Sequence, residues 1–69
     1  MKKYMVLRDG MFLVRCKKAA GIIQSFWGKS RYEGKEYLTL ATAKKYATIV
    51  KGKIFFITEN GQLEKYLYH

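Results

Sequence analysis

Asp9-Gly10 stands between two apolar runs, residues 4–7 and 11–14. An Asp-Gly pair in that setting signals a two-residue β-hairpin, because a type I′ turn needs positive φ at both positions. The pairing then places Arg8 opposite Met11, Leu7 opposite Phe12, Val6 opposite Leu13, Met5 opposite Val14 and Tyr4 opposite Arg15. Directly opposed residues share a face. One face carries Met5, Leu7, Phe12, Val14 and Cys16, all apolar, and is the expected core side. The other carries Tyr4, Val6, Arg8, Met11, Leu13 and Arg15 and is mixed.

Residues 53–68 repeat the pattern around Asn60-Gly61. A two-residue loop there pairs Glu59 with Gln62, Thr58 with Leu63, Ile57 with Glu64, Phe56 with Lys65, Phe55 with Tyr66 and Ile54 with Leu67. Ile54, Phe56, Thr58, Leu63 and Leu67 share one face, with Lys65 as the exception. The run Ile54-Phe55-Phe56-Ile57 is apolar on both sides, as an interior strand requires. Between the hairpins, Leu40, Ala43, Tyr46, Ala47 and Val50 form a helical stripe over residues 40–51. Thr39 is placed to cap its start and Gly52 to end it in the left-handed conformation. Residues 22–27 read as a third strand after a connection at 17–21, with a short helical turn at Ala19-Ala20 as the alternative, opposed by Gly21. Residues 28–35 are polar and glycine-bounded, hence a loop, and Tyr37-Leu38 reads as a short strand.

The expected fold is α+β: an antiparallel sheet of four or five strands with one helix on one face, in the order β-β-(β)-α-β-β. The helix should cover Met5, Leu7, Phe12, Val14, Ile54 and Phe56. The opposite face, with Tyr4, Val6, Leu13, Phe55, Ile57, Tyr66 and Tyr68, is too apolar to stand in water. Such patches mark contact surfaces, so this face is expected to meet a partner or a second copy in a homodimer.

The 69 residues make a single domain, 1–69. Its one cysteine, Cys16, and one histidine, His69, cannot form a structural metal site or a disulfide framework. No metal and no cofactor is expected, and stability must come from the core. No apolar run reaches the ~18–20 residues of a spanning helix. Arg8 and Asp9 break the run that a signal peptide would need after Lys2-Lys3, so a cytoplasmic location is expected. The net charge is +9, uneven along the chain. Residues 1–35 hold nine Lys/Arg and two acids, whereas residues 36–69 hold five and three. A field of this sign concentrates polyanions and acidic partners near the surface.

Gly28-Lys29-Ser30 resembles the end of a phosphate-binding P-loop, but Ile23 stands where that motif needs its first glycine. Residues 51–58 match an RNA-recognition strand at Lys51, Gly52 and Phe55, while Lys53 and Thr58 occupy positions that should be aromatic. A buried strand explains this segment better. No nucleophile has a base at a telling spacing, and Cys16 falls on a core face. The domain is therefore expected not to be an enzyme. A basic zone with aromatics remains: Arg8, Arg15, Lys17, Lys18, Lys29, Arg31, Tyr32 and Lys35 are the candidate nucleic-acid contacts. Cations neutralise phosphates and exposed aromatics stack on bases. Trp27, the largest side chain, reads as a core anchor.

The segment YLTLATAKKYATIVKGKIFFI, behind a hairpin such as KYMVLRDGMFLVR, resembles short uncharacterised proteins of phages and prophages. The shared features are a hairpin, a Thr-capped A-K-K-x-A helix and a G-K-I strand. The resemblance covers about half the chain and implies a sheet with one helix on it. It also implies a mobile-element origin, in which small proteins block host enzymes, and it transfers no functional residue. Two functions are thus expected as alternatives. One is a non-catalytic nucleic-acid-binding module working through its basic surface. The other is a protein-binding inhibitor or adaptor docking on an acidic host surface.

Overall fold

A computed structural model describes residues 2–67. Tyr68, expected in the last hairpin, lies outside the described residues. Five strands and one helix follow in the expected order. β1 is Lys3–Arg8, β2 Met11–Ala19, β3 Ile22–Gly28, α1 Leu40–Val50, β4 Lys53–Ile57 and β5 Leu63–Lys65, with a single 3-10 turn at Arg31–Glu33. The strands form one antiparallel sheet in the order β3-β2-β1-β4-β5.

The first turn forms as the sequence predicts. Asp9 and Gly10 both have positive φ, and Leu7 pairs with Phe12 and Arg8 with Met11. Beyond Leu7 and Phe12 the expected pairing ends. Val14 is a β-bulge against β3, since Leu13 faces Trp27 and Arg15 faces Phe26. One extra residue reverses the alternation that follows it. Cys16 therefore joins Leu13 on the helix side, packed against the core.

On the first hairpin the helix covers the face opposite to the one expected, whereas on β4 Ile54 faces it as expected. α1 packs on β1 and β4, and the core it closes consists of Val6, Leu13, Tyr37, Ala43, Ala47, Val50 and Ile54. Met5, Leu7 and Phe12 point to the other side. Both faces of the first hairpin are apolar in the middle, so alternation alone did not choose between them. Arg8 shows why the mixed face could turn inward. It lies at the rim, where its guanidinium donates to the Val50 carbonyl at 2.8 Å and stacks 4.7 Å above the Trp27 ring. That contact satisfies a carbonyl left unpaired at the helix end and places a cation against the negative end of its dipole.

The outer face is not left bare. Residues 29–36 run beneath it, and Gly34 sits against Met5 and Phe12. A Cβ on Gly34 would collide with Met5 Cε and stand 2.9 Å from Phe12 Cβ. Arg31 donates to the Gly61 carbonyl and ties this segment to the β4–β5 turn. The chain then passes between the splayed ends of β1 and β2. The Lys35 amide donates to the Leu13 carbonyl at 2.9 Å, and Tyr37 exchanges two backbone bonds with Tyr4. Tyr37 emerges into the core on the helix side and stacks on Tyr46 with ring centroids 5.3 Å apart. The apolar set expected on a single open face is therefore divided. Tyr4, Val6, Leu13 and Tyr66 lie on the helix side, while Phe55 and Ile57, paired with Met5 and Lys3, lie on the outer side.

The β4–β5 register differs by one residue from the expected pairing. Ile57 faces Leu63, Phe56 faces Glu64 and Phe55 faces Lys65. Thr58 is the cause: its carbonyl accepts from Gly61 N at 2.9 Å and its hydroxyl from Gln62 N at 3.1 Å. With Gly61 alone at positive φ, this is a longer loop closed by a left-handed glycine. A one-residue shift moves every β5 side chain to the other face. Lys65, the misfit on the expected core face, turns outward, and Tyr66 takes its place against the core.

Thr39 caps α1 as expected, accepting from Thr42 N at 3.3 Å. The left-handed residue at the other end is Lys51, with φ 58°, rather than Gly52. Gly52 is needed for close approach, because a Cβ there would stand 2.8 Å from Val6 Cγ1 and 3.0 Å from the Leu7 carbonyl.

Candidate nucleic-acid interface

The expected connection at 17–21 does not exist. β2 continues to Ala19 and turns through Ala20-Gly21, both at positive φ, straight into β3. From Arg15↔Phe26 to Ala19↔Ile22 the two strands make a ribbon. Residues 17–24 are exposed on both faces, so the ribbon stands clear of helix and loop. The peeling begins at the Val14 bulge, consistent with the tendency of bulges to bend and re-aim a strand. The molecule is accordingly elongated, 40 × 26 × 20 Å.

Charge on the ribbon has one sign. Arg15, Lys17 and Lys18 are its charged residues, and the nearest acids along the chain are Asp9 and Glu33. Arg15 and Lys17 point to the outer side with Gln24 and Phe26, and Lys18 points to the helix side with Ile23. The Arg15 guanidinium lies 5.3 Å from the Phe26 ring centroid. At the ribbon's base a hollow is lined by Val14, Arg15, Cys16, Lys35, Tyr37 and Tyr46. Lys45 lies 5.6 Å from the Tyr46 ring centroid. A second hollow, lined by Arg31, Tyr32, Gly34, Lys35 and Glu36, adjoins it through Lys35.

Of the eight candidate residues, Arg15, Lys17, Lys18 and Lys35 therefore gather on the ribbon and at its base, with Arg31 and Tyr32 adjoining. Tyr32 is 95% exposed, whereas Arg31 spends its guanidinium on the Gly61 carbonyl. Arg8 and Lys29 do not join this group. Arg8 is committed to the helix end and Trp27. Lys29 follows Gly28, which pairs with Phe12, and so lies towards the Asp9-Gly10 end of the sheet. Glu33 is not simply solvated. With Ser30 it forms a reciprocal capping box around the 3-10 turn, a signal present in the sequence as Ser30-x-x-Glu33. Tyr46 and Tyr37 are the additions that sequence reasoning missed, because only the passage of the chain between β1 and β2 brings them beside Arg15.

Tyr37 titrates far from its ordinary range. Burial, reinforced by Tyr46 and Cys16, pushes its phenol up to about 12. At the far edge of the sheet Lys65 is held below its usual value by the neighbouring Lys53. Among the described residues no cluster of His, Cys, Asp and Glu could hold a metal ion, and no helix is long and apolar enough to cross a membrane. No protein-family model, curated protein or solved structure matches the chain.

Proposed function

We propose that this domain is a non-catalytic nucleic-acid-binding module. The observation that carries the reading is the β2–β3 ribbon: a projecting element with three cations and no acid, continued at its base by Lys35. Cations held along one projecting element can each meet a phosphate and release its counterion. Scattered surface lysines lack that alignment. Arg15, Lys18 and Lys35 are the phosphate-contacting group, with Lys17 between them on the ribbon and Tyr32 as an exposed ring nearby.

Titration against labelled nucleic acid across a salt series tests this. Each phosphate contact contributes ~0.9 to the log–log slope on duplex DNA. Arg15→Gln and Lys35→Gln should each lower the slope by about that amount, and Lys53→Gln, on β4, should leave it unchanged. Absence of binding at low salt overturns the reading.

One feature favours a protein partner instead. β3 is an edge strand without a charged residue, and its Ile22, Ile23 and Phe26 are 64%, 46% and 46% exposed. Uncharged edges of this kind pair readily with extended segments of other chains. A phage-type inhibitor or adaptor acting on an acidic host protein would use it. Retention of a protein partner after nuclease treatment of a bacterial lysate, with no affinity for nucleic acid, would select this second reading.

A further inference from the structure

The ribbon is also selective in shape. We infer that its ligand is B-form duplex DNA, entered at the major groove by the outer face of β2–β3. This rests on the nucleic-acid reading above and narrows it.

Five paired positions, Arg15↔Phe26 to Ala19↔Ile22, span about 16 Å at ~3.3 Å per residue. Two strands with their side chains match a groove about 12 Å wide. The major groove of A-form RNA is too narrow and deep to be read this way. The outer face carries the corresponding chemistry. Lys17 and Gln24 are directly opposed at the ribbon's centre, with Ala19 and Ile22 beyond them towards the tip. Lys donates to guanine O6 and N7, Gln matches adenine N6 and N7, and small apolar groups meet the thymine methyl. Arg15 and Lys35, at the base beside the hollow, are placed for the flanking phosphates rather than for base edges.

Apart from Tyr32, whose ring is open, the aromatic residues argue against a single strand. Single-strand binders offer open ring faces on which bases stack. Here Phe26, Trp27, Tyr46 and Phe56 each carry a cation over the ring, supplied by Arg15, Arg8, Lys45 and Lys2 in turn. On the ring face that each cation occupies, a base could stack only by displacing it. The groove-facing ribbon needs no such rearrangement.

The test uses the full chain with a randomised DNA duplex of about two helical turns, its separated strands, and an RNA duplex of the same length. The expected result is duplex DNA bound at least about tenfold more tightly than either competitor, a difference of ~1.4 kcal/mol. Methyl green, which occupies the major groove, should displace the protein, and netropsin, which occupies the minor groove, should not. Lys17→Ala combined with Gln24→Ala should reduce the preference to less than about threefold. Both side chains are exposed, and circular dichroism confirms that the variant is folded. Equal or tighter binding to single strands or RNA, or displacement by netropsin alone, overturns the groove assignment and leaves the nucleic-acid reading standing. No binding to any of the three overturns both.

Discussion

Ala20 is the least comfortable residue of the ribbon. Its φ of 52° is left-handed, a region that costs an L-residue with a Cβ roughly 1–2 kcal/mol. Gly21 beside it satisfies the second position of the turn without strain, and Asp9-Gly10 shows the same geometry built from residues suited to it. Asn enters this region more readily than Ala. Ala20→Asn is therefore expected to stabilise the domain by about 0.5–1 kcal/mol, read as a rise of several degrees in Tm. A fall in Tm in a thermal melt would show that the turn is not the two-residue loop described. The same strain explains why the turn was hard to see beforehand. Ala-Gly is a poor turn signal, and the charged run Arg15-x-Lys17-Lys18 just before it reads as a connection. Its true length appears only once β2 and β3 are paired.

At the scale of elements, the outer cover of the sheet hangs on Gly34. Residues 29–36 bring it against Met5 and Phe12, and both those side chains are buried. Any side chain there must push the segment off the sheet or displace Phe12 at its Cβ, which belongs to a strand. Gly34→Ala should cost about 1–3 kcal/mol, the range for overfilling a packed site, measured by urea denaturation. Stability equal to the parent would mean that the segment is not seated as described. The two hairpins teach complementary lessons at this scale. Asp9-Gly10 set both turn and register, because Asp accepts positive φ. Asn60-Gly61 marked the right place but the wrong register, because the Thr58 hydroxyl and carbonyl close a longer loop. Burial of Tyr66 in place of Lys65 favours the same outcome.

Across the whole molecule, the layers meet at Tyr37, where the chain passes through the sheet from loop to helix. Its phenol titrates at about 12 because burial disfavours the anion. The unfolded phenol titrates near 10, so the unfolded state loses its proton first as the pH rises. The stability tied to protonated Tyr37 is complete below pH ~10 and drains away between ~10 and ~12. Tyr37→Phe should retain the ring stack on Tyr46 and flatten this alkaline limb relative to the parent, followed as unfolding free energy against pH. An unchanged limb would place the alkaline sensitivity elsewhere. The sequence by itself determined the elements: two glycine turns, a Thr-capped amphipathic helix, an interior strand at 54–57, and hence the α+β class and the chain order. It also located the cations in the first half of the chain. Only tertiary structure decided which face the helix covers, because both faces of the first hairpin are apolar and alternation weighs them nearly equally. It decided the bulge at Val14 and the passage of residues 35–37 between β1 and β2, since these depend on contacts distant in sequence. It divided the candidate cations as well, sending Arg8 to the end of the helix and leaving Arg15, Lys17 and Lys18 on a ribbon. A side chain's partners follow from which elements are neighbours, and local periodicity carries no information about that.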